Sequence, residues 1–315
     1  MKTGTERSGT DVSIVIPVLN EEMSLPELYT GIRKSMGRIG KSYEIIFVDD
    51  GSTDKSYEVM ESLRGKDGRV RTVKFVRNFG KSEALKAGFR EAAGDVIITM
   101  DADLQDSPED IPRFLDKIKE CDLVVGWRRE RKDKQTKIAS SRIFNGLTNA
   151  VMGIKVHDSN CGFKAFRRDI AKGLRLHGEI YRYIPALVSG DKHRVCEVEV
   201  KHTARKYGKS KYGSSRIFRG FFDLLTAKFL MTYSKRPFHL FGSIGLLLSL
   251  IGFIIDGYLS YLWLLGQSIG ERPLLLMGTF LLITGVQFIS LGLIGELVVS
   301  RQSRDDESYA RVLGK

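Results

Sequence analysis

Two almost wholly apolar runs near the carboxyl end, Leu240–Leu265 and Leu274–Ser300, set the strongest limit on how this chain folds. Each exceeds the roughly 20 residues that a helix needs to cross about 30 Å of hydrocarbon. Only Gly266–Pro273 separates them, so they read as a transmembrane hairpin, against the alternative of two buried helices in a soluble core. Arg216, Arg219, Lys228, Lys235 and Arg236 precede the first run, and Arg301, Arg304, Arg311 and Lys315 follow the second. The connecting loop holds Arg272 beside Glu271. Basic residues stay on the cytoplasmic side, so this bias predicts an integral membrane protein of two spans with both termini cytoplasmic. Asp256 lies inside the first run, where a carboxylate is costly and faces a partner, another subunit or the headgroups. Just upstream, Ser214–Tyr233 alternates apolar and basic positions at helical spacing, as a helix lying in the membrane interface does. Expected divisions are a cytoplasmic domain at 1–213, interfacial helices at 214–237, the hairpin at 238–300 and a cytoplasmic tail at 301–315. Met1–Thr10 is polar and charged, unlike a signal peptide.

The first 213 residues read differently. Ser13–Pro17, Tyr43–Val48, Val70–Val76, Asp95–Met100 and Leu123–Gly126 are short β-branched or apolar runs, as strands are. Glu21–Ile39, Asp54–Arg64 and Ser82–Ala93 have helical spacing between them. Such alternation predicts an α/β domain with a mainly parallel, Rossmann-like sheet covered on both faces. Ligands of these sheets sit beyond the carboxyl ends of the strands. Those ends carry Asn20-Glu21, Asp49-Asp50 and Asp101-Ala102-Asp103.

A net charge of +12 calls for an anionic partner: nucleic acid, acidic lipid or a phosphorylated substrate. Nucleic-acid binding lacks its usual modules. Cys121, Cys161 and Cys196 show no metal spacing and are read as structural thiols of a reduced compartment, and the five histidines show no zinc pattern. Asp101 and Asp103 offer paired hard oxygen donors, which suit Mg²⁺ or Mn²⁺ carrying a diphosphate. Taken alone, such a pair is also an ordinary solvated turn, and Asn20-Glu21 and Asp49-Asp50 are also a helix start and an Asx turn.

Four segments occur in a telling order: SIVIPVLNEE (Ser13–Glu22), VDDGSTD (Val48–Asp54), RNFGKSEALKAG (Arg77–Gly88) and MDADLQDSPE (Met100–Glu109). DSNCGFKAFRRD (Asp158–Asp169) and RKYGKSKYG (Arg205–Gly213) follow them. Together they resemble family 2 glycosyltransferases of GT-A fold, most of all the polyprenyl-phosphate and dolichyl-phosphate hexose synthases, over about residues 11–235. That resemblance implies inverting transfer of a hexose from a nucleotide-sugar donor to a polyprenyl phosphate acceptor at a membrane lipid surface. Pro17, Asn20, Glu21, Asp50 and Lys81 would then surround the nucleotide, with Arg205 on its diphosphate. Asp101, Asp103 and Gln105 would hold Mg²⁺ or Mn²⁺. Arg128, Lys137, Arg142 and Lys211 would meet the lipid phosphate, and Asp158 would be a supporting carboxylate near it. The Cys161-Gly162-Phe163-Lys164 variant is closer to the glucosyl than the mannosyl members, favouring UDP-glucose over GDP-mannose. Some members carry a carboxylate where this chain has Gly162, so that role does not transfer. Processive polysaccharide synthases carry a Q-x-x-R-W segment and more spans, neither of which is found here; a transferase extending a lipid-linked glycan is the same-class alternative. A non-enzymatic membrane anion binder is the alternative from outside the class.

Electrostatics point the same way. A donor diphosphate and a phosphomonoester acceptor each bring about two negative charges, which metal and protein cations must offset. The lipid phosphate is already mostly ionised near pH 7. No strong general base is needed, which agrees with a sequence that displays no nucleophile–base pair.

Overall fold

The computed structural model describes residues 9–129, 146–176, 178–203, 206–207, 224–229, 232–233, 236–270 and 272–313, with side chains as far as Ser300. The chain divides into two compact units, 1–227 and 228–315.

The first unit is built on a seven-stranded sheet in the order β3-β2-β1-β4-β6-β5-β7. Its strands are β1 (Val12–Val18), β2 (Tyr43–Asp49), β3 (Val70–Lys74), β4 (Val96–Thr99), β5 (Leu123–Trp127), β6 (Lys164–Arg167) and β7 (Val195–Glu199). β1–β4 are parallel to one another, β7 is parallel to β5, and β6 alone runs antiparallel, to both β4 and β5. Ile14, Val15, Ile16, Ile45, Ile46, Phe47, Ile97 and Ile98 are wholly buried. That is why these strands read as continuous apolar runs and not as alternating ones. Farther along, Phe114 and Phe163 stack with ring centroids 4.1 Å apart.

Helices α1 (Leu25–Ile39), α2 (Ser56–Lys66), α3 (Lys81–Glu91) and α4 (Ile111–Lys117) connect the strands. α3 packs on β1 and β2, and Gly88 lets its backbone press against the Val15 side chain. α1 begins at Leu25 and not at Glu21, because Asn20–Ser24 is used in side-chain and backbone bonds of the preceding turn, and Pro26 suits a first helical turn. β3 stops at Lys74; Val76, expected inside it, is 93% exposed.

The thiol expectation is corrected in part. Cys121 and Cys196 are joined in a disulfide, with Cα atoms 6.1 Å apart, and only Cys161 remains free and buried. The two lie 75 residues apart in sequence and meet because β5 and β7 are neighbours.

The second unit holds two helices, Pro237–Leu264 and Pro273–Leu313. Pro237–Leu264 and the segment Pro273–Ser300 of the second are long and apolar enough to cross a membrane. Leu246, Phe253, Leu276 and Phe280 are each more than 60% exposed, unlike the side chains of buried core helices. The inner faces meet at small residues. A Cβ at Gly245 would lie 2.6 Å from the Gly285 carbonyl, and one at Gly252 would lie 2.7 Å from the Gly278 carbonyl. Close backbone approach of this kind is how helices associate in lipid. Asp256 finds its partner inside the pair, where the Thr279 hydroxyl donates to its Oδ2 at 3.5 Å. The tail expected at 301–315 continues the second helix to Leu313; no Gly or Pro interrupts it before Gly314. The interfacial stretch 214–237 falls mostly outside the described residues; within it, residues 224–229 are helical, with Leu224 and Ala227 buried.

Candidate active site

The carboxyl ends of β1, β2 and β4 lie side by side, because Pro17 pairs with Val48, Val18 with Asp49, and Val15 with Thr99. The turns that leave β1 and β2 are laced together. Asn20, at φ 54, receives the Thr53 N–H on its Oδ1 at 2.7 Å and donates its own N–H to Ser52 Oγ at 3.0 Å. The Glu21 N–H donates to Ser56 Oγ at 2.8 Å, while the Lys55 N–H donates to Glu22 Oε2 at 2.9 Å. Asp49 is fully buried and accepts the Ser52 N–H at 2.9 Å. The expected nucleotide residues Pro17, Asn20, Glu21 and Asp50 thus converge, with Asn20 and Asp50 already holding backbone.

Asp50 reaches the other way. Its carboxylate accepts the Phe79 N–H at 2.7 Å and the Gly80 N–H at 3.0–3.1 Å, tying β2 to the loop before α3. Burial pushes the Asp50 carboxyl above its ordinary range, and the two backbone donors oppose that shift. Gly51 has no alternative: at φ 73, a Cβ there would run into the Arg77–Asn78 backbone.

The loop delivers Lys81, the first residue of α3, whose ammonium pairs with Asp101 Oδ1. Next to β4, Lys164 of β6 pairs in register with Thr99 and is buried, and its ammonium donates to the Cys161 carbonyl. Gly162 packs against Asp101, where a Cβ would fall 2.5 Å from Asp101 Cγ. Lys81, Lys164, Thr99, Asn160 and Tyr181 line a small cavity here. Burial pushes the Asp101 carboxyl up, but Lys81, then Lys164 and Arg128, more than offset it and hold it below the usual carboxylate range. Burial brings Lys164 down to about 8 and raises the Cys161 thiol to about 12.

After Asp101 the chain turns sharply, with Leu104 at φ 62 and the Gln105 N–H donating to Asp103 Oδ1 at 3.2 Å. Thr203 clamps this turn: its N–H donates to the Gln105 carbonyl at 3.1 Å and its hydroxyl to the Leu104 carbonyl at 2.7 Å. Asp106 bridges to His202 beside it; burial, then the Asp101 charge, raises its carboxyl to about 7.

At the end of β5, Arg128 Nε and Nη2 hold Asp158 Oδ2 and Oδ1 at 2.6 and 3.0 Å. His157 stacks on Trp127 and joins Glu197 of β7 through Nδ1 at 2.8 Å. Arg128 and Asp158, each expected near a lipid phosphate, are therefore one ion pair. Lys137, Arg142, Arg205 and Lys211 lie outside the described residues. Lys164, Tyr181 and Asp106 had no assigned place; the one available signal was a lysine inside the short apolar run Gly162–Phe166.

Asp101, Asp103 and Gln105 bring two carboxylates and an amide, hard donors that suit Mg²⁺ or Mn²⁺. Among the described residues no cluster of three or more His, Cys, Asp or Glu forms a protein cage.

Comparison with known proteins fits this geometry. Residues 13–175 match the family described as Glycosyl transferase family 2. The chain is 41% identical over 305 residues to a dodecaprenyl-phosphate galacturonate synthase of Rhizobium johnstonii, spanning 95% of this chain and 90% of that one. It is 37% identical over 289 residues to an undecaprenyl-phosphate 4-deoxy-4-formamido-L-arabinose transferase of Pseudomonas aeruginosa, spanning 90% and 84%. Among solved structures, a glucosyl-3-phosphoglycerate synthase of Mycobacterium tuberculosis, in complex with Mg²⁺ and uridine-diphosphate, superposes with a TM-score of 0.55. It is 19% identical and covers 70% of this chain and 80% of its own, a likeness of fold. The chain is a glycosyltransferase and belongs to glycosyl transferase family 2, with a GT-A domain followed by a pair of apolar helices.

Proposed function

We propose that this enzyme moves a sugar from a nucleotide-diphospho-sugar to a polyprenyl phosphate, with inversion, giving a lipid-phospho-sugar. The observation that carries the reading is the acidic turn at the end of β4, paired with Lys81 and within reach of the Lys164 charge, beside the laced β1 and β2 turns. Near-full-length similarity to two transferases named for polyprenyl-phosphate acceptors supports that acceptor.

Asp101, Asp103 and Gln105 would hold Mg²⁺ or Mn²⁺, which when bound neutralises the diphosphate as it leaves. Asn20, Glu21 and Asp50 shape the nucleotide cleft. Lys81, at the start of α3, adds its charge to the partial positive charge of the helix amino end. One edge of the Arg128 guanidinium is taken by Asp158, and its remaining N–H donors serve the acceptor phosphate. Lys137, Arg142 and Lys211 complete that acceptor site, and Arg205 binds the diphosphate. The acceptor phosphate attacks as an anion, so Asp158 orients Arg128 and need not take a proton. The catalytic domain and both termini face the cytoplasm, 214–237 lies in the interface, and the hairpin keeps the enzyme at the membrane that holds its acceptor.

For the donor, we place a UDP-linked hexuronate beside UDP-glucose, ahead of GDP-mannose, because the 41% identical relative is named for galacturonate. Purified full-length enzyme is offered radiolabelled UDP-glucose, UDP-galacturonate, UDP-4-formamido-arabinose and GDP-mannose, each with polyprenyl phosphate and, separately, with a preformed lipid-linked glycan. Label should enter the lipid from a UDP donor and be released by mild acid. Transfer only to a preformed lipid-linked glycan would replace this reading with chain extension.

A further inference from the structure

Asp101 is about a third exposed, and its inner side is closely hemmed in. Gly162 closes one side so tightly that a single carbon would collide with the carboxylate. Lys81 covers Oδ1, and the buried Lys164 of β6, paired in register with Thr99 of β4, is near enough to add its charge. The position of Lys81 is itself set from β2, through the bonds from the Phe79 and Gly80 N–H groups to Asp50. A divalent cation approaching Asp101 thus meets an ammonium already in place and the charge of a second one nearby. Like charges in a partly buried site repel strongly. Lysine carries its charge on a flexible four-carbon stem and can exchange one anion for another.

We propose that Lys81 stands in the cation's place at Asp101 until a nucleotide diphosphate arrives, so that divalent-metal binding is gated by nucleotide binding. Once the diphosphate is present, the Lys81 ammonium moves to it and leaves Asp101 open. Lys81 is then a positioning residue as well as a diphosphate contact, and the enzyme avoids loading metal without its donor. This inference rests on the reading of Asp101, Asp103 and Gln105 as the metal site.

The test is binding of Mn²⁺, followed by electron paramagnetic resonance on full-length protein in detergent, alone and with saturating UDP. Wild type should bind Mn²⁺ weakly alone and much more tightly with UDP. Removing one charge-assisted contact changes an equilibrium by about tenfold or more. Lys81→Met and Lys81→Gln should therefore bind Mn²⁺ alone about tenfold more tightly than wild type, with a correspondingly smaller gain from UDP. Lys81→Arg should behave as wild type. Misfolding weakens metal binding, so a gain in affinity cannot come from it. Unchanged or weaker Mn²⁺ binding in both neutral variants overturns the gate. Asp103→Ala separates the two ideas: if it binds Mn²⁺ with UDP as wild type does, the metal assignment itself fails.

Discussion

Arg128 and Asp158, thirty residues apart, close on each other edge to edge, with the guanidinium donating at 2.6 and 3.0 Å to the two carboxylate oxygens. Their side chains are only 12% and 4% exposed. Such a pair is part of the framework of the fold. Removing one member strands the other, at a cost of about 3–5 kcal/mol.

Arg128→Ala should therefore lower unfolding stability by about that amount, beyond any effect on lipid use. The double variant Arg128→Leu, Asp158→Leu should recover part of the loss, because it leaves no buried charge unpaired. Urea unfolding of Arg128→Leu, Asp158→Leu and the double variant would show it. Simple additivity would mean that the pair is not coupled.

Gly162→Ala should keep the fold and lose the reaction. Its new carbon must displace the Asp101 carboxylate, and a shift of about 1 Å in a reacting constellation costs about a hundredfold in rate. Circular dichroism should match wild type while kcat/KM falls by about that factor. Near-normal turnover would show that Asp101 has room to move without loss.

Asp67 gives a pH signature away from the active site. It accepts from Arg69 Nε and Nη2 at 2.9 Å each and from the Tyr29 hydroxyl at 2.8 Å. The hydrogen bonds from Arg69 lead in holding its carboxyl well below the usual range, against a smaller upward push from burial. A depressed folded-state pKa contributes stability above the unfolded value, about 4, that is lost as pH falls. Asp67→Asn should thus be less stable than wild type at pH 7, by about 1 kcal/mol. The gap should narrow as pH drops below about 4. A constant gap from pH 7 to pH 2 would contradict this.

In the hairpin, Gly252→Leu should push the helices apart, since even a Cβ there meets the Gly278 carbonyl at 2.7 Å and Leu282 N at 2.8 Å. Overpacking of this kind costs about 1–3 kcal/mol. Leu246→Ala, at a side chain 65% exposed, should cost far less. Thermal unfolding in detergent compares them, and equal effects would deny the close approach.

Several features were legible because each rests on local residues. Five strands announce themselves as β-branched runs, and the acidic turn after β4 follows one directly. β6 and β7 stay hidden for a physical reason. Lys164–Arg167 begins and ends in a charge, and Val195–Glu199 carries two glutamates, so neither looks apolar. Lys164 is tolerated in the interior only because the Cys161 carbonyl accepts from it and Asp101 lies near. Arg128 and Asp158 were each expected near the acceptor phosphate from the resemblance alone, and their union depends on how the chain returns after β5. The Cys121–Cys196 pairing likewise follows from strand order and from nothing near either cysteine.

That strand order also bears on how the protein is made. β6 lies between β4 and β5 although it is synthesised after both, and β4 makes no pairing with β5 directly. A nascent chain that has emerged only as far as Trp127 therefore holds the free edge of β4 open. Unpaired edges invite association with other chains. Ribosome-stalled or truncated products ending before Lys164 should be more aggregation-prone than those extending past Glu199, in which β6 and β7 close the edges of β4 and β5.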